Sequence, residues 1–127
     1  MSLMNTDVAN AVTTDTIPQV EVKQTLNNEL GTAYSEQQIK NLVDEYAIKY
    51  GVDGNKMMEV IKCESMYKNV QSNHYYKGVR EDSWGIAQIH LPSHPNVSKQ
   101  QALDPLFSIN FMAEKFSRGW FKWSCYR

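Results

Sequence analysis

The chain has 127 residues, of which 42% are hydrophobic, and its 13 basic and 14 acidic side chains give a net charge of -1 at pH 7. This length suits one globular domain, and the balanced charge argues against nucleic acid as a partner, because phosphate binding needs a surplus of Lys and Arg. No apolar run approaches the roughly 20 residues that cross a bilayer, and the first Lys or Arg is Lys23, so we expect neither a transmembrane segment nor an intact signal peptide.

Residues 1–34 are rich in Thr, Asn, Asp, Gln and Val, include Pro18, and show no sustained hydrophobic period. Such a segment has too few regularly placed apolar side chains to bury a core of its own. We therefore predict a flexible tail or linker over residues 1–34 and a folded domain over residues 35–127.

The folded part is expected to begin with a helix. Ser35 and Gln38 have the spacing of a capping box, in which each side chain accepts a hydrogen bond from the other residue's backbone. Apolar residues then recur at intervals of three and four up to Tyr50, and Gly51 follows where a left-handed cap is expected.

A second helix is expected after Asp53, a suitable N-cap residue. Its apolar residues are Met57, Val60 and Ile61, and the next position of this stripe is Glu64. A carboxyl at the edge of a buried stripe loses water that stabilises its charge, so it tends to keep its proton, and a protonated Glu is a general acid. The alternative is a Glu that pairs with a nearby Lys or extends from the helix end into water.

Downstream, residues 67–82 have no clear period and predict a long loop or a pair of short irregular strands. The segment SWGIAQIH predicts a turn that leads into a short helix, which Pro92 ends. Asp104 and Pro105 predict the start of a helix with apolar residues on all sides, which Gly119 ends. The fold class is therefore mainly α, with a small irregular loop or β region.

The sequence contains few cysteines and histidines, the residue types that most often bind metals or carry out redox chemistry. Cys63 and Cys125 are too far apart for a C-x-x-C motif, which leaves either one disulfide or two buried free thiols. His90 and His94 are separated by Pro92, so no helix places them side by side as metal ligands. We expect no metal site, and the nearest interpretation of both histidines is a polar loop.

Three segments in order, CES, SWGIAQI and ALDPLFSINFMAEKF, resemble the soluble lytic transglycosylase branch of the lysozyme superfamily, over about residues 36–118. That family has Glu-Ser, a variable loop, Ser-x-Gly-Leu-Met-Gln-Ile, and later an Asp-Pro helix with an Asn. The resemblance implies an α+β lysozyme-like domain with a cleft between the Glu64 helix and the loop region at residues 67–95.

The resemblance also implies roles for individual residues. Glu64 matches the catalytic acid and base, Ser65 the serine after it, and Asn110 the Asn that holds the Glu or the substrate. Three residues, Ser83, Gly85 and Gln88, match the glycan-binding turn. Trp84 beside this turn is a candidate surface for stacking on a sugar.

The sequence departs from the family in two places: Leu-Met is replaced by Ile86 and Ala87, and the family's distal tyrosine motif has no clear counterpart, with Tyr126 as a weak substitute.

A second carboxylate decides the type of reaction, because hydrolytic glycosidases need one. Glu81 and Asp82 precede the Ser83 turn, and this stretch also resembles goose-type lysozymes through its later SHP. If both residues face solvent, Glu64 acts alone, as in a lytic transglycosylase that forms 1,6-anhydromuropeptides. If either faces the cleft, lysozyme-type hydrolysis is feasible. We favour the scheme with one carboxylate.

The expected function is therefore cleavage of the bond between N-acetylmuramic acid and N-acetylglucosamine in peptidoglycan, by a monomer without a cofactor. The resemblance implies a protein that is exported to the periplasm, cell wall or medium, or one that is associated with a phage. The rival interpretations are a non-catalytic glycan-binding module and a helical interaction domain.

Overall fold

A computed structural model describes residues 26–127, so residues 1–25 of the predicted tail lie outside the described part. The helices are α1 (Glu36–Tyr50), α2 (Gly54–Ser65), α3 (Lys99–Leu103) and α4 (Pro105–Ser117), with a 3₁₀ turn at Leu91–Ser93. The strands are β1 (Tyr75–Tyr76), β2 (Val79–Arg80), β3 (Ser83–Trp84) and β4 (Ile89–His90), paired β1 with β2 and β3 with β4, both antiparallel. The described residues are thus mainly α with a small β content, as the sequence predicts.

Helix α1 begins and ends where its caps predict. The Ser35 hydroxyl accepts a hydrogen bond from the Gln38 backbone, and the Gln38 side chain accepts one from the Ser35 backbone. Gly51 ends the helix in the left-handed region, at φ 68°. The apolar face of α1 packs against α4 and α2.

Helix α2 is capped by the Asp53 carboxylate, which accepts from the Lys56 backbone. Its buried residues are Met57, Val60, Ile61 and Ser65. The buried stripe therefore continues at Ser65 rather than at Glu64. Because one residue corresponds to a rotation of about 100° around a helix, Glu64 lies at the border of the core and is partly buried.

Helix α4 is the central helix of the core. The Asp104 carboxylate caps it by accepting from the Leu106 backbone, and Pro105 occupies its first turn. Its buried residues are Pro105, Ser108, Ile109, Phe111, Met112, Ala113 and Phe116. Ser117 is exposed, and the other residues of the helix are partly buried, so the predicted central position of α4 is confirmed although its burial is not complete.

The folded part begins before the predicted boundary at residue 35. Tyr34 belongs to the core, Ala33 forms an isolated bridge with Lys68, and the Gly31 N–H donates to the Asn69 carbonyl. Burial, together with the negative charge of Asp104, raises the pKa of Tyr34 to about 12. The composition of residues 26–34 resembles a tail, but their backbone is held by the segment that follows α2.

For residues 67–82 the sequence predicts either a long loop or a pair of short strands, and the structure contains the strands. Strands β1 and β2 are joined by Lys77 and Gly78, which both have positive φ, at 51° and 80°. Two consecutive positive φ values are typical of a two-residue hairpin turn, whose twist matches that of the strands.

The helix predicted within SWGIAQIH is wrong, because this segment forms the β3–β4 hairpin. Gly85 and Gln88 have φ values of 84° and 51°, which no α-helix contains, and they fold residues 85–88 into the turn. Ile86, Ala87 and Ile89 are buried, so their apolar character reflects a turn inserted into the core.

Gly85 also allows a close approach between the turn and α3. A Cβ atom at this position would lie 1.9 Å from the Ala102 carbonyl oxygen. Only glycine therefore fits between this turn and α3. Helix α3 itself was not predicted, although Ser98 and Gln101 form a second capping box.

Of the two alternatives for the cysteines, the structure contains the disulfide, which joins Cys63 on α2 to Cys125 in the C-terminal segment. Residues 118–127 have no helix or strand and are further anchored by aromatic packing. The Trp123 indole N–H donates to the Ala87 carbonyl, and Tyr126 stacks on Phe121. Over residues 26–127, no helix has the length and apolar character needed to span a membrane.

Candidate active site

Two adjoining cavities form a groove on the side of the domain where α2 ends. They share a wall made of Glu64, Glu81, Gln88 and Ser124. The aromatic cavity, of about 360 Å³, is named for Phe111, Trp120, Trp123 and the His94 ring on its walls. The polar cavity, of about 680 Å³, is lined mostly by residues 63–74 and also by Arg80. Glu64 therefore lies near the middle of the groove.

The Glu64 carboxylate is held by the C-terminal segment. Its Oε2 accepts hydrogen bonds from the Ser124 hydroxyl at 3.1 Å and from the Cys125 backbone N–H at 3.0 Å. Cys125 is bonded to Cys63, the residue immediately before Glu64. The disulfide thus keeps both donors beside the carboxylate that they bind.

This arrangement makes the two carboxyl oxygens different. Among the residues that the structure describes, no donor contacts Oε1 of Glu64. An oxygen that already accepts two hydrogen bonds is a poor position for a proton, so a protonated Glu64 carries its proton on Oε1. The free oxygen is therefore the one equipped to transfer a proton to a molecule in the groove.

The second carboxylate on the shared wall is that of Glu81. The Ser83 hydroxyl donates to Glu81 Oε2 at 2.5 Å, and His90 Nδ1 lies 3.2 Å from the same hydroxyl oxygen. A hydroxyl has one proton, and Ser83 uses it in the hydrogen bond to Glu81. The Ser83 oxygen therefore accepts the bond with His90, whose Nδ1–H is the donor. Ser83 and His90 thus orient Glu81, and both line the aromatic cavity.

Asp82 and Trp84 do not line either cavity of the groove. Their side chains bind each other, since the Trp84 indole N–H donates to Asp82 Oδ1 at 2.5 Å. The Lys99 ammonium lies 4.6 Å from the centre of the Trp84 ring and covers one of its faces. The structure thus places both residues outside this groove, where Asp82 was the alternative second carboxylate and Trp84 the candidate stacking surface.

Gln88 is on the shared wall, where the resemblance implies a substrate contact. Its NH₂ group donates to the carbonyls of Val70 and Gly85, both at 2.9 Å. Both amide protons are used in this way, so only the carbonyl oxygen of the side chain remains to accept a bond from a ligand. Gly85, in contrast, is buried and serves the packing of the turn.

Ser65 lines the polar cavity but its hydroxyl is directed into the protein. It contacts the Ile86 carbonyl at 2.8 Å and the Ile61 carbonyl at 3.2 Å. This contact fastens the end of α2, and with it Glu64, to the β3–β4 turn. Ser65 is therefore a positioning residue rather than a ligand-binding one.

Asn110, for which the resemblance implies a contact with Glu64 or the substrate, is placed outside the groove. Its Oδ1 accepts a hydrogen bond from the Tyr50 hydroxyl at 2.8 Å, and it lines neither cavity of the groove. A polar residue in an apolar helix needs a partner. Here that partner is at the end of α1, on a different side of α4 from Phe111.

The aromatic cavity contains groups that the sequence did not assign to the site. Phe111 and Trp120 make edge-to-face contacts with the His94 ring, with centroids 4.9 and 5.5 Å away. Burial lowers the pKa of His94, and the nearby charges of Lys115 and His90 lower it further. His94 therefore behaves as a neutral, partly apolar ring at neutral pH.

The turn after α2 is another feature that the sequence does not reveal. Met66 and Tyr67 are consecutive non-glycine residues with positive φ, at 52° and 65°. Each such residue costs on the order of 1 kcal/mol, and strained backbone is common beside functional sites. The turn directs the chain away from α2 immediately after Glu64 and opens the polar cavity.

Among the residues that the structure describes, no cluster of three or more His, Cys, Asp or Glu side chains has the arrangement of a metal site. No family model, curated protein or solved structure matches this chain. The function must therefore be inferred from the chemistry of the groove.

Proposed function

We propose that this protein cleaves the β-1,4 bond between N-acetylmuramic acid and N-acetylglucosamine in peptidoglycan, as a lytic transglycosylase with a lysozyme-like fold. The observation that supports this most strongly is the position of Glu64 on the shared wall, with one oxygen held by two donors and the other free. Its neighbours in the sequence have the order found in that family.

In the first step, Glu64 donates the proton on Oε1 to the glycosidic oxygen. The bond from C1 of muramic acid to this oxygen breaks, and N-acetylglucosamine leaves with a free 4-hydroxyl group. General acid catalysis of this kind accelerates a reaction by roughly 10²- to 10⁴-fold. Positive charge develops at C1 and the ring oxygen, close to the carboxylate that has just lost its proton.

In the second step, the 6-hydroxyl oxygen of the same muramic acid forms a bond to C1. Its proton passes to Glu64, which restores the starting state of the enzyme. No water is consumed, and the product ends in a 1,6-anhydro ring. One carboxyl group serves both steps, so the scheme requires no other acidic residue.

The walls of the groove suit an amino sugar. Phe111 and Trp120 provide apolar surface on one side of the shared wall, and the Gln88 carbonyl oxygen provides an acceptor for a hydroxyl or amide N–H. Binding sites for small polar ligands commonly combine apolar walls with a few fixed polar atoms. The disulfide is typical of proteins in oxidising compartments, which supports export from the cytoplasm.

A second candidate is hydrolysis, which the position of Glu81 favours. Glu81 lines both cavities beside Glu64, and Ser83 fixes its orientation. In this scheme Glu81 activates a water molecule or attacks C1 itself, and the product has a reducing end. A glycan-binding module without activity is the third outcome, and it predicts binding to peptidoglycan without release of fragments.

Mass spectrometry of the products from purified peptidoglycan separates these outcomes. The proposed reaction yields muropeptides lighter by one water molecule than the reducing products of hydrolysis. Glu81→Gln should leave the anhydro products in place if Glu64 acts alone. Reducing products from the wild type that disappear in Glu81→Gln would instead support the lysozyme-type reaction, and the absence of any product would defeat both.

A further inference from the structure

The polar cavity has an uneven distribution of charge. Its two carboxylates, Glu64 and Glu81, belong to the wall that it shares with the aromatic cavity. Lys68 and Arg80 line the polar cavity alone, and no carboxylate does. The residues that line this cavity alone therefore include two cations and no anion.

Arg80 is held in place without being neutralised. Its Nε donates to the Ser72 carbonyl at 2.7 Å, and its Nη2 donates to Asn73 Oδ1 at 3.2 Å, with a longer contact to the Gln71 carbonyl at 3.4 Å. All three acceptors are uncharged. They fix the plane of the guanidinium group while Nη1 and the full positive charge stay available.

Lys68 lies on another segment of the same cavity, directly after the strained turn at the end of α2. Of the ion pairs within residues 26–127, none includes Lys68 or Arg80. Two cations without counter-ions at one cavity attract an anion, because a bound anion can accept charge-assisted hydrogen bonds from them. The fixed guanidinium plane favours a planar anion such as a carboxylate, which accepts two parallel bonds.

We propose that the polar cavity binds a carboxylate carried by the substituent on the muramic acid, so that the protein prefers acid-bearing strands to neutral ones. The identity of this ligand rests on the proposed function. The sugar rings and their N-acetyl groups carry no charge. Carboxylates occur on the stem peptide and, where the stem has been removed, on the lactyl group that held it.

Binding by an inactive variant tests this site separately from catalysis. Glu64→Gln is titrated with three soluble ligands of equal sugar length: strands with intact stems, strands whose stems an amidase has removed, and neutral chitin oligosaccharides. We expect the stem-bearing strands to bind most tightly and to lose affinity as salt is raised. Adding Arg80→Gln should weaken their binding by roughly tenfold, the usual worth of one charge-assisted bond, and leave chitin binding unchanged.

The stem-free strands identify the source of the carboxylate. If Arg80→Gln weakens the binding of stem-bearing strands alone, the site holds the peptide. If it weakens both acid-bearing ligands equally, the site holds an acid close to the sugar. Lys77→Gln is the matched control, since Lys77 is on the same hairpin but points to the Tyr76 ring and lines neither cavity of the groove.

Two results would overturn the proposal. Equal loss of chitin and stem-bearing strands in Arg80→Gln would mean that Arg80 only supports the loop, and equal effects of Lys77→Gln and Arg80→Gln would mean unspecific attraction. The proposed function is judged independently, by product release from the wild type. If the protein releases anhydromuropeptides but does not prefer acid-bearing strands, only the anion site is refuted. If it prefers acid-bearing strands but releases no products, only the proposed reaction is refuted.

Discussion

The Cys125 backbone N–H donates a hydrogen bond to Glu64 Oε2 at 3.0 Å, and Cys125 is itself bonded to Cys63, the residue before Glu64. The C-terminal segment thus completes the site of a residue that lies about half the chain away in sequence. Because this segment has no helix or strand of its own, the disulfide is the covalent link that keeps the donor in place.

Replacing both Cys63 and Cys125 with Ser should lower the stability of the protein, and it should also lower the activity of the molecules that remain folded. A bridge across a separation of 62 residues is worth roughly 2–4 kcal/mol, so we expect the melting temperature to fall by about 10 °C or more. At a temperature where the variant is fully folded, product release should still be several-fold slower. Wild-type rates in the folded double variant would show that the disulfide does not position Glu64.

Ser124→Ala removes the other donor to Glu64. A hydrogen bond from a neutral hydroxyl to a carboxylate is worth about 1–2 kcal/mol. We therefore expect kcat to fall by roughly 5- to 30-fold. Because Ser124 is exposed, the melting temperature should stay near that of the wild type. Ser117→Ala is the matched control, since Ser117 is also exposed and its hydroxyl donates to the Glu114 carbonyl, away from the groove. Similar rates for both variants would contradict the role of Ser124.

Gly85→Ala should be much more destabilising than Gly78→Ala. Both glycines have positive φ, at 84° and 80°, so alanine costs about 1–2 kcal/mol at either position. Only at Gly85 does the added Cβ also meet a backbone atom, 1.9 Å from the Ala102 carbonyl oxygen. Urea unfolding of the two variants measures the difference, and equal losses of free energy of unfolding would mean that the turn moves away from α3 at little cost.

His94 should make the fold less stable in acid. Burial lowers its pKa below the ordinary value of 6.5, and Lys115 and His90 add to the effect. The unfolded chain therefore binds a proton at a higher pH than the folded protein does, and the free energy of unfolding falls as the pH drops from above 6.5 through the lowered pKa. The measurement is the melting temperature from pH 7.5 to pH 5.

His94→Asn should flatten this profile, although it also loses ring contacts with Phe111 and Trp120. His74→Asn is the control, because His74 is exposed and takes part in none of the ring contacts among the described residues. An unchanged slope in His94→Asn would show that the acid sensitivity originates elsewhere.

The helices could be predicted from sequence because their signals are local. Ser35, Gly51, Asp53 and Asp104 all cap helices where their types indicate, since a cap depends on the residues within one turn. The capping box at Ser98 and Gln101 is an equally local signal, and it predicts the start of α3. The sequence predicts a helix in place of the β3–β4 hairpin, because glutamine is not a residue type that indicates a positive φ.

The site was only partly predictable, because its decisive contacts join distant segments. Glu64 was identified from the edge of a helical stripe, but its donors at Ser124 and Cys125 belong to no motif. Glu81 and Asp82 are neighbours of the same type, and only the fold directs one to the groove and the other to Trp84. Asn110 has the right residue type in the right helix, yet its partner is Tyr50.

The role of Glu64 is tested most directly by comparing Glu64→Gln with the wild type on purified peptidoglycan, with released muropeptides measured by mass spectrometry. The substitution keeps the size of the side chain and an oxygen that accepts from Ser124 and Cys125, but removes the transferable proton. We predict that the variant keeps the wild-type melting temperature, binds insoluble peptidoglycan and releases no anhydromuropeptides. Release at a wild-type rate by the folded variant would contradict the account.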